Sequence, residues 1–180
     1  MKVLLKIGIM AWVALLSAHA NPYVYLDELT LELDRATLYN GAPVEILSQE
    51  SGTSKVKIKG FASKDEPNTL YATPNMKVVL AQTKEPLHVN ENSSASLEIE
   101  IQTSLLEEDI ESVWGTSMDE FYNTCTQCHA ANEPHLHTML EWDGLYGSMK
   151  EFSKPTPEQD ELILRFLRSF SSDGFVKFDY

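Results

Sequence analysis

"LLEEDIESVWGTSMDEFYNTCTQCH" (residues 105–129) is where the periodicity of the chain changes. Ile110, Val113, Trp114, Met118, Phe121 and Tyr122 recur at spacings of three and four, the pattern of a helix with one buried face. Gly115 is expected to break this helix into two pieces, and Ser117 with Glu120 three positions on forms a capping box that would start the second. That second piece runs straight into Cys125. Near the end of the chain, "TPEQDELILRFLRSF" predicts another helix: Thr156 caps it, Pro157 suits its first turn and Gln159 closes the box. Its apolar face is Leu162, Ile163, Phe166, Leu167 and Phe170, and Arg165 and Arg168 sit where the helix dipole favours cations.

Upstream of residue 105 the period is two. Leu29, Leu31 and Leu33 alternate with polar residues, as do Val56, Ile58 and Gly60 with Lys55, Lys57 and Lys59, and Leu97, Ile99 and Ile101 with Glu98, Glu100 and Gln102. Alternation of this kind describes antiparallel strands with one wet face. "APVEILS" and "MKVVLAQ" add further short strands, and "YNGAP" (residues 39–43) and "ESGTS" (residues 50–54) read as tight turns. Six or seven short strands predict a small sandwich or barrel. His88 stands alone there and reads as a surface residue.

The first twenty residues read as a cleaved leader. Lys2 and Lys6 precede an apolar run, residues 7–18, that is too short to span a bilayer at about 1.5 Å per residue. Ala18-His19-Ala20 is a small-x-small cleavage pattern, which places the cut before Asn21. The expected organisation is a leader (1–20), a β-rich domain (21–104) and a helical domain (105–180), exported to the periplasm with no membrane anchor after cleavage. Removing Lys2 and Lys6 takes the formal charge from −13 to −15. That balance argues against a nucleic-acid partner, whose phosphates need lysine and arginine. It suits a protein that meets a basic patch on its partner.

"CTQCHAANEPHLHTM" (residues 125–139) holds both cysteines and three of the five histidines. Three chemistries compete for it. A zinc site would use Cys125, Cys128 and two of His129, His135 and His137, but the pairs lie too close for the usual spacing. A thiol–disulfide switch needs C-x-x-C at the start of a helix beside a strand, whereas here a helix precedes the motif. A structural disulfide would close too short a loop to stabilise much. Cys125-Thr126-Gln127-Cys128-His129 matches C-x-x-C-H, the pattern of covalent haem attachment. Two thiols at that spacing reach the two vinyl groups of one haem c, and the adjacent histidine supplies the proximal iron ligand. For the other face of the iron the candidates are His135, His137, Met139 and Met149. Six residues span at most about 20 Å, which argues against His135 and His137, and Met139 falls early in the loop. Met149 leaves room for a short helix, "TMLEWDGLYGSM", and a return.

Two resemblances add to this reading. "LYNGAPVEILSQESGTSKVKIKGF" resembles a bacterial Src-homology-3-like barrel over about thirty residues. The helix–motif–loop–helix order of the last third resembles the class I cytochrome c fold, in which the first and last helices cross and the haem fills the core between them. The fold expectation is therefore α+β: a small all-β Src-homology-3-like domain followed by a small all-α class I cytochrome c-like domain. "CTQCHAANEPHLHTMLEWDGLYGSM" is similar to a group of monohaem cytochromes and terminal haem domains, including that of the pentahaem cytochrome of the trimethylamine N-oxide reductase system. Pro134, His137, Trp142 and Met149 take that group's motif positions, and the resemblance implies Met149 as distal ligand. It implies a one-electron carrier of anaerobic respiration and not an enzyme. The acceptor would be a periplasmic molybdopterin N-oxide or S-oxide reductase, and the donor a membrane quinol-oxidising cytochrome. Two other functions stay open: a gas sensor or peroxide-reducing enzyme, if the distal position is vacant, and a docking or assembly subunit for a reductase.

Overall fold

A computed structural model describes residues 22–26 and 28–177; the leader read from residues 1–20 lies outside the described residues. Among the described residues nine strands precede three α-helices. The organising strand is β5 (Thr53–Phe61). Along one edge it pairs with β8 (Ser94–Gln102) over its whole length, from Thr53 opposite Gln102 to Phe61 opposite Ser94. It also pairs with β4 (Glu45–Glu50) as far as Lys57, and at Phe61 with β6 (Thr69–Tyr71). From β6 the sheet continues through β7 (Val79–Thr83) to β3 (Ala36–Tyr39) and β2 (Thr30–Glu32). The result is a curled antiparallel sheet of seven strands. The expected alternation holds on β5, where Val56 and Ile58 are buried. Its lysines form a charged ladder: Lys55 and Lys57 both reach Glu98, and Lys59 reaches Glu45 at 2.6 Å. The expected turn at residues 50–54 is the β4–β5 hairpin, with positive φ at Ser51 and Gly52.

A separate two-stranded ribbon joins β1 (Tyr23–Val24) to β9 (Leu106–Glu107), immediately ahead of the first helix. Helix α1 is Ile110–Cys125, α2 is Met139–Ser153 and α3 is Pro157–Phe170. Helix α3 begins at the expected Thr156/Gln159 capping box. Helix α1 departs from expectation. It is continuous through Gly115, its cap is Asp109, and Ser117 is buried in its middle. One interior glycine costs only about 1 kcal/mol, which the packing of Val113, Trp114 and Phe121 overrides.

The fold class expected from the sequence does not hold. The strands form one large curled sheet with a separate ribbon, and the helices do not make a small self-contained all-α cytochrome domain. They dock on the sheet through buried side chains. Trp114 of α1 lies on Gly41, in the turn after β3. Asn40 beside it donates from Nδ2 to the Val113 carbonyl (2.8 Å) and accepts from the Leu26 amide at Oδ1 (2.9 Å). Arg165 of α3 is buried and donates to the Asn40 carbonyl from Nε (3.2 Å) and Nη2 (2.6 Å), and to the Val79 carbonyl from Nη1 (2.6 Å). The space between α1 and α3 is filled by the protein's own rings. Phe121 meets Phe166 and Trp142, Phe166 meets Phe170, and Phe170 meets Trp114, with centroids 4.8–6.2 Å apart. In this packing the rings fill that space between them.

Gly41 has φ +76°, and a Cβ there would collide with the Trp114 indole. At Gly115 a Cβ would meet nothing within 4 Å. The same substitution should therefore act in opposite directions. Gly41→Ala should lose about 2–4 kcal/mol through backbone strain and overpacking, and Gly115→Ala should gain about 0.5–1 kcal/mol. Urea denaturation followed by circular dichroism measures both.

Candidate functional site

The C-x-x-C-H segment forms the exit from α1. Cys125 is the last helical residue and is half-buried at the edge of the helical core. Thr126 caps the helix: its amide (3.0 Å) and hydroxyl (2.7 Å) both donate to the Tyr122 carbonyl, and Gln127 Nε2 donates to the Asn123 carbonyl (3.0 Å). These bonds satisfy carbonyls that a helix end leaves without partners. The chain then turns away, so Cys128 and His129 are exposed. Both thiols are free.

The histidine ring is already oriented by its own loop. His129 Nδ1 lies 2.7 Å from the Ala130 carbonyl oxygen. A carbonyl only accepts, so Nδ1 carries a proton in this contact, and in the neutral ring Nε2 is then the nitrogen with the lone pair. This is the arrangement in which a metal-ligating histidine is normally held. The surroundings of Cys125 do not favour the thiolate that redox exchange needs. Burial pushes the Cys125 thiol up from its ordinary value. The C-terminal end of a helix also disfavours a thiolate, the opposite of what a dithiol oxidoreductase needs.

The other sequence candidates separate clearly. Met149 is half-buried at the edge of the same helical core as Cys125. Leu145 and Phe152, four residues before it and three after, lie on the same flank of α2 and are 39% and 85% exposed. This apolar flank lies open to solvent. Met139 is fully buried, and its Sδ accepts from Asn75 Nδ2 (3.1 Å), so it serves packing against the sheet. His135 is exposed on a single 3-10 turn, Pro134–Leu136. His137 stands edge-on to Trp142 with centroids 5.0 Å apart, and its carbonyl accepts from the Ser172 amide (2.9 Å). Among the described residues no three His, Cys, Asp or Glu side chains converge as a metal site, so the zinc set is not assembled.

Several supporting groups escaped the sequence reading. Trp142 Nε1 donates to the Pro134 carbonyl (2.7 Å), which pins the 3-10 turn to α2. Thr138 and Glu141 form a capping box at the start of α2, and its T-x-x-E signature was readable. Tyr146 donates to Asp160 (2.8 Å), joining α2 to α3; burial first, then that carboxylate, raise its phenol well above the ordinary value.

The donor set at the edge of the helical core is of the kind that a covalently attached haem would use. Two free thiols three residues apart, an imidazole and a thioether beside an exposed apolar flank are the groups such attachment would use. Compared with models of known families, with curated proteins and with solved structures, the chain finds no significant match.

The two thiols should differ in reactivity before any group is attached. With iodoacetamide at pH 8, Cys128 should be alkylated several-fold faster than Cys125, because only Cys125 is half-buried at a helix end. Peptide mapping after a short pulse measures the ratio; equal rates would contradict the placement of Cys125.

Proposed function

We propose that the chain is a periplasmic c-type cytochrome that carries one electron at a time. Cys125 and Cys128 hold the haem by thioethers, His129 Nε2 is the proximal ligand and Met149 the distal one. The observation that carries this reading is the His129 Nδ1 contact to the Ala130 carbonyl, made inside a C-x-x-C-H turn whose thiols are both free. When bound, haem iron supplies reversible one-electron chemistry, and methionine ligation favours a higher potential than bis-histidine ligation.

The protein's own contribution is attachment, orientation and charge. If His129 and Met149 both ligate, the haem would offer no open position to a substrate, which favours a carrier over an enzyme. Between Lys84 and Lys150 the chain has no lysine or arginine, so α1, the motif and most of α2 are anionic. That surface suits brief, salt-sensitive encounters with basic patches on redox partners. By the motif resemblance, the acceptor is a periplasmic molybdopterin N-oxide or S-oxide reductase and the donor a membrane quinol-oxidising cytochrome.

Co-expression with the haem-attachment machinery should give covalent haem that is lost in Cys125→Ser/Cys128→Ser. The ferric protein should show the weak long-wavelength sulfur-to-iron charge-transfer band, and Met149→Ala should remove it. Covalent haem with no such band, together with carbon monoxide binding to the ferrous form, would replace the carrier with a sensor or peroxide-reducing enzyme. Absence of covalent haem would reject the cytochrome reading.

A further inference from the structure

We infer that the β6–β7 loop of the sheet is a strut that positions the distal-ligand helix, with Lys77, Asp143 and Asn75 as positioning residues for Met149. The inference rests on the haem reading above. Asp143 lies on α2 and receives two cations from two other elements. Lys77 Nζ, from the loop, bonds Oδ2, and Arg168 Nε, from α3, bonds Oδ1 at 2.8 Å. Arg168 also donates from Nη1 to the Lys77 carbonyl (3.4 Å), which closes the triangle. All three side chains are only 22–31% exposed, so solvent screens them less than a surface pair.

A second contact lies one helical turn earlier. Thr73 Oγ1 donates to Asn75 Oδ1 (2.7 Å), which turns Asn75 Nδ2 toward Met139 Sδ (3.1 Å). Between these contacts, Met76 holds φ +56°, a left-handed conformation that a side chain seldom adopts. Such strain persists only where the surroundings over-determine it. Met139 and Asp143 are four residues apart, so the loop grips a single face of α2.

Met149 lies six residues beyond Asp143, about 9 Å along the helix axis and on a different flank. The loop's hydrogen bonds to α2 are made at Met139 and Asp143. A helix moves as a rod, so a rotation or slide released at Asp143 reaches Met149 undiminished. The core rings Trp142 and Tyr146 hold α2 from the helical side, and the strut holds it from the sheet. This gives the β-rich half a role in the redox site that needs no partner protein.

The test uses the holo protein with Lys77→Met, and Asn75→Ala as a second variant. Lys59→Met, which removes an ion pair on the far ladder, is the control. Imidazole titration of the ferric protein, followed through loss of the charge-transfer band, reads how firmly Met149 is held. Lys77→Met should bind imidazole about tenfold more tightly than wild type, and the control should match wild type. Hydrogen exchange should quicken across residues 139–153 in Lys77→Met and stay unchanged in α1. Wild-type imidazole affinity and wild-type exchange in both test variants would overturn the inference while leaving the haem reading intact. A wild-type protein with covalent haem but no band would remove Met149 as ligand, and this inference with it.

Discussion

The structure depends on one buried cation. Arg165 has no carboxylate partner among its hydrogen bonds; it is satisfied by the carbonyl oxygens of Asn40 and Val79, and its guanidinium lies over the rings of Tyr39 and Trp114 at 5.3 and 5.6 Å. Burial pushes its pKa down to about 10, which still leaves it charged at neutral pH. A desolvated charge held by backbone dipoles loses its compensation if either partner shifts. The arginine therefore fixes α3 against two strands at once. The Asn40–Gly41 turn is the receiving surface: it takes the guanidinium on its carbonyl, the α1 backbone on its amide side chain and the Trp114 indole against its glycine.

That arrangement explains which parts of the fold could be read from the sequence. Strand β5, strand β8, the β4–β5 hairpin and the capping box of α3 are local patterns: alternation, a turn, a cap. Each is decided within about ten residues. The docking of the halves is not local. Arg165 reads in sequence as a cation complementing a helix dipole, and only residues 125 positions away show it to be a clamp. The β1–β9 ribbon likewise joins segments more than eighty residues apart. A resemblance to two familiar small domains supplied the wrong assembly because those local patterns are shared by many folds.

The same distinction runs through the site. The motif turn was legible because cysteine spacing and the following histidine are contiguous. The packing around it was not. Trp114, Phe121, Trp142, Phe166 and Phe170 are as suited to walling a haem as to packing on one another, and here they pack on one another. With those rings packed on one another, the proposed haem would sit beside this core, on the side where Cys125 and Met149 pack against it. Covalent thioethers then matter more than they would in a deep pocket, because burial would contribute less to retention.

A position beside the core would also make surface charge part of the proposed redox chemistry. Glu133 meets the Tyr122 hydroxyl at 3.3 Å, one turn before Cys125, and Glu120 accepts from Gln159 Nε2 (2.9 Å) on the same helix. No lysine or arginine stands between Lys84 and Lys150 to offset them. Fixed negative charge favours the ferric state and lowers the potential, whereas a methionine ligand raises it. The two effects oppose one another, and they respond differently to solution conditions. The ligand term is insensitive to salt, but the charge term is screened within about 10 Å at 0.1 M ionic strength. In the proposed cytochrome, a basic partner neutralising this surface would raise the potential as it docks.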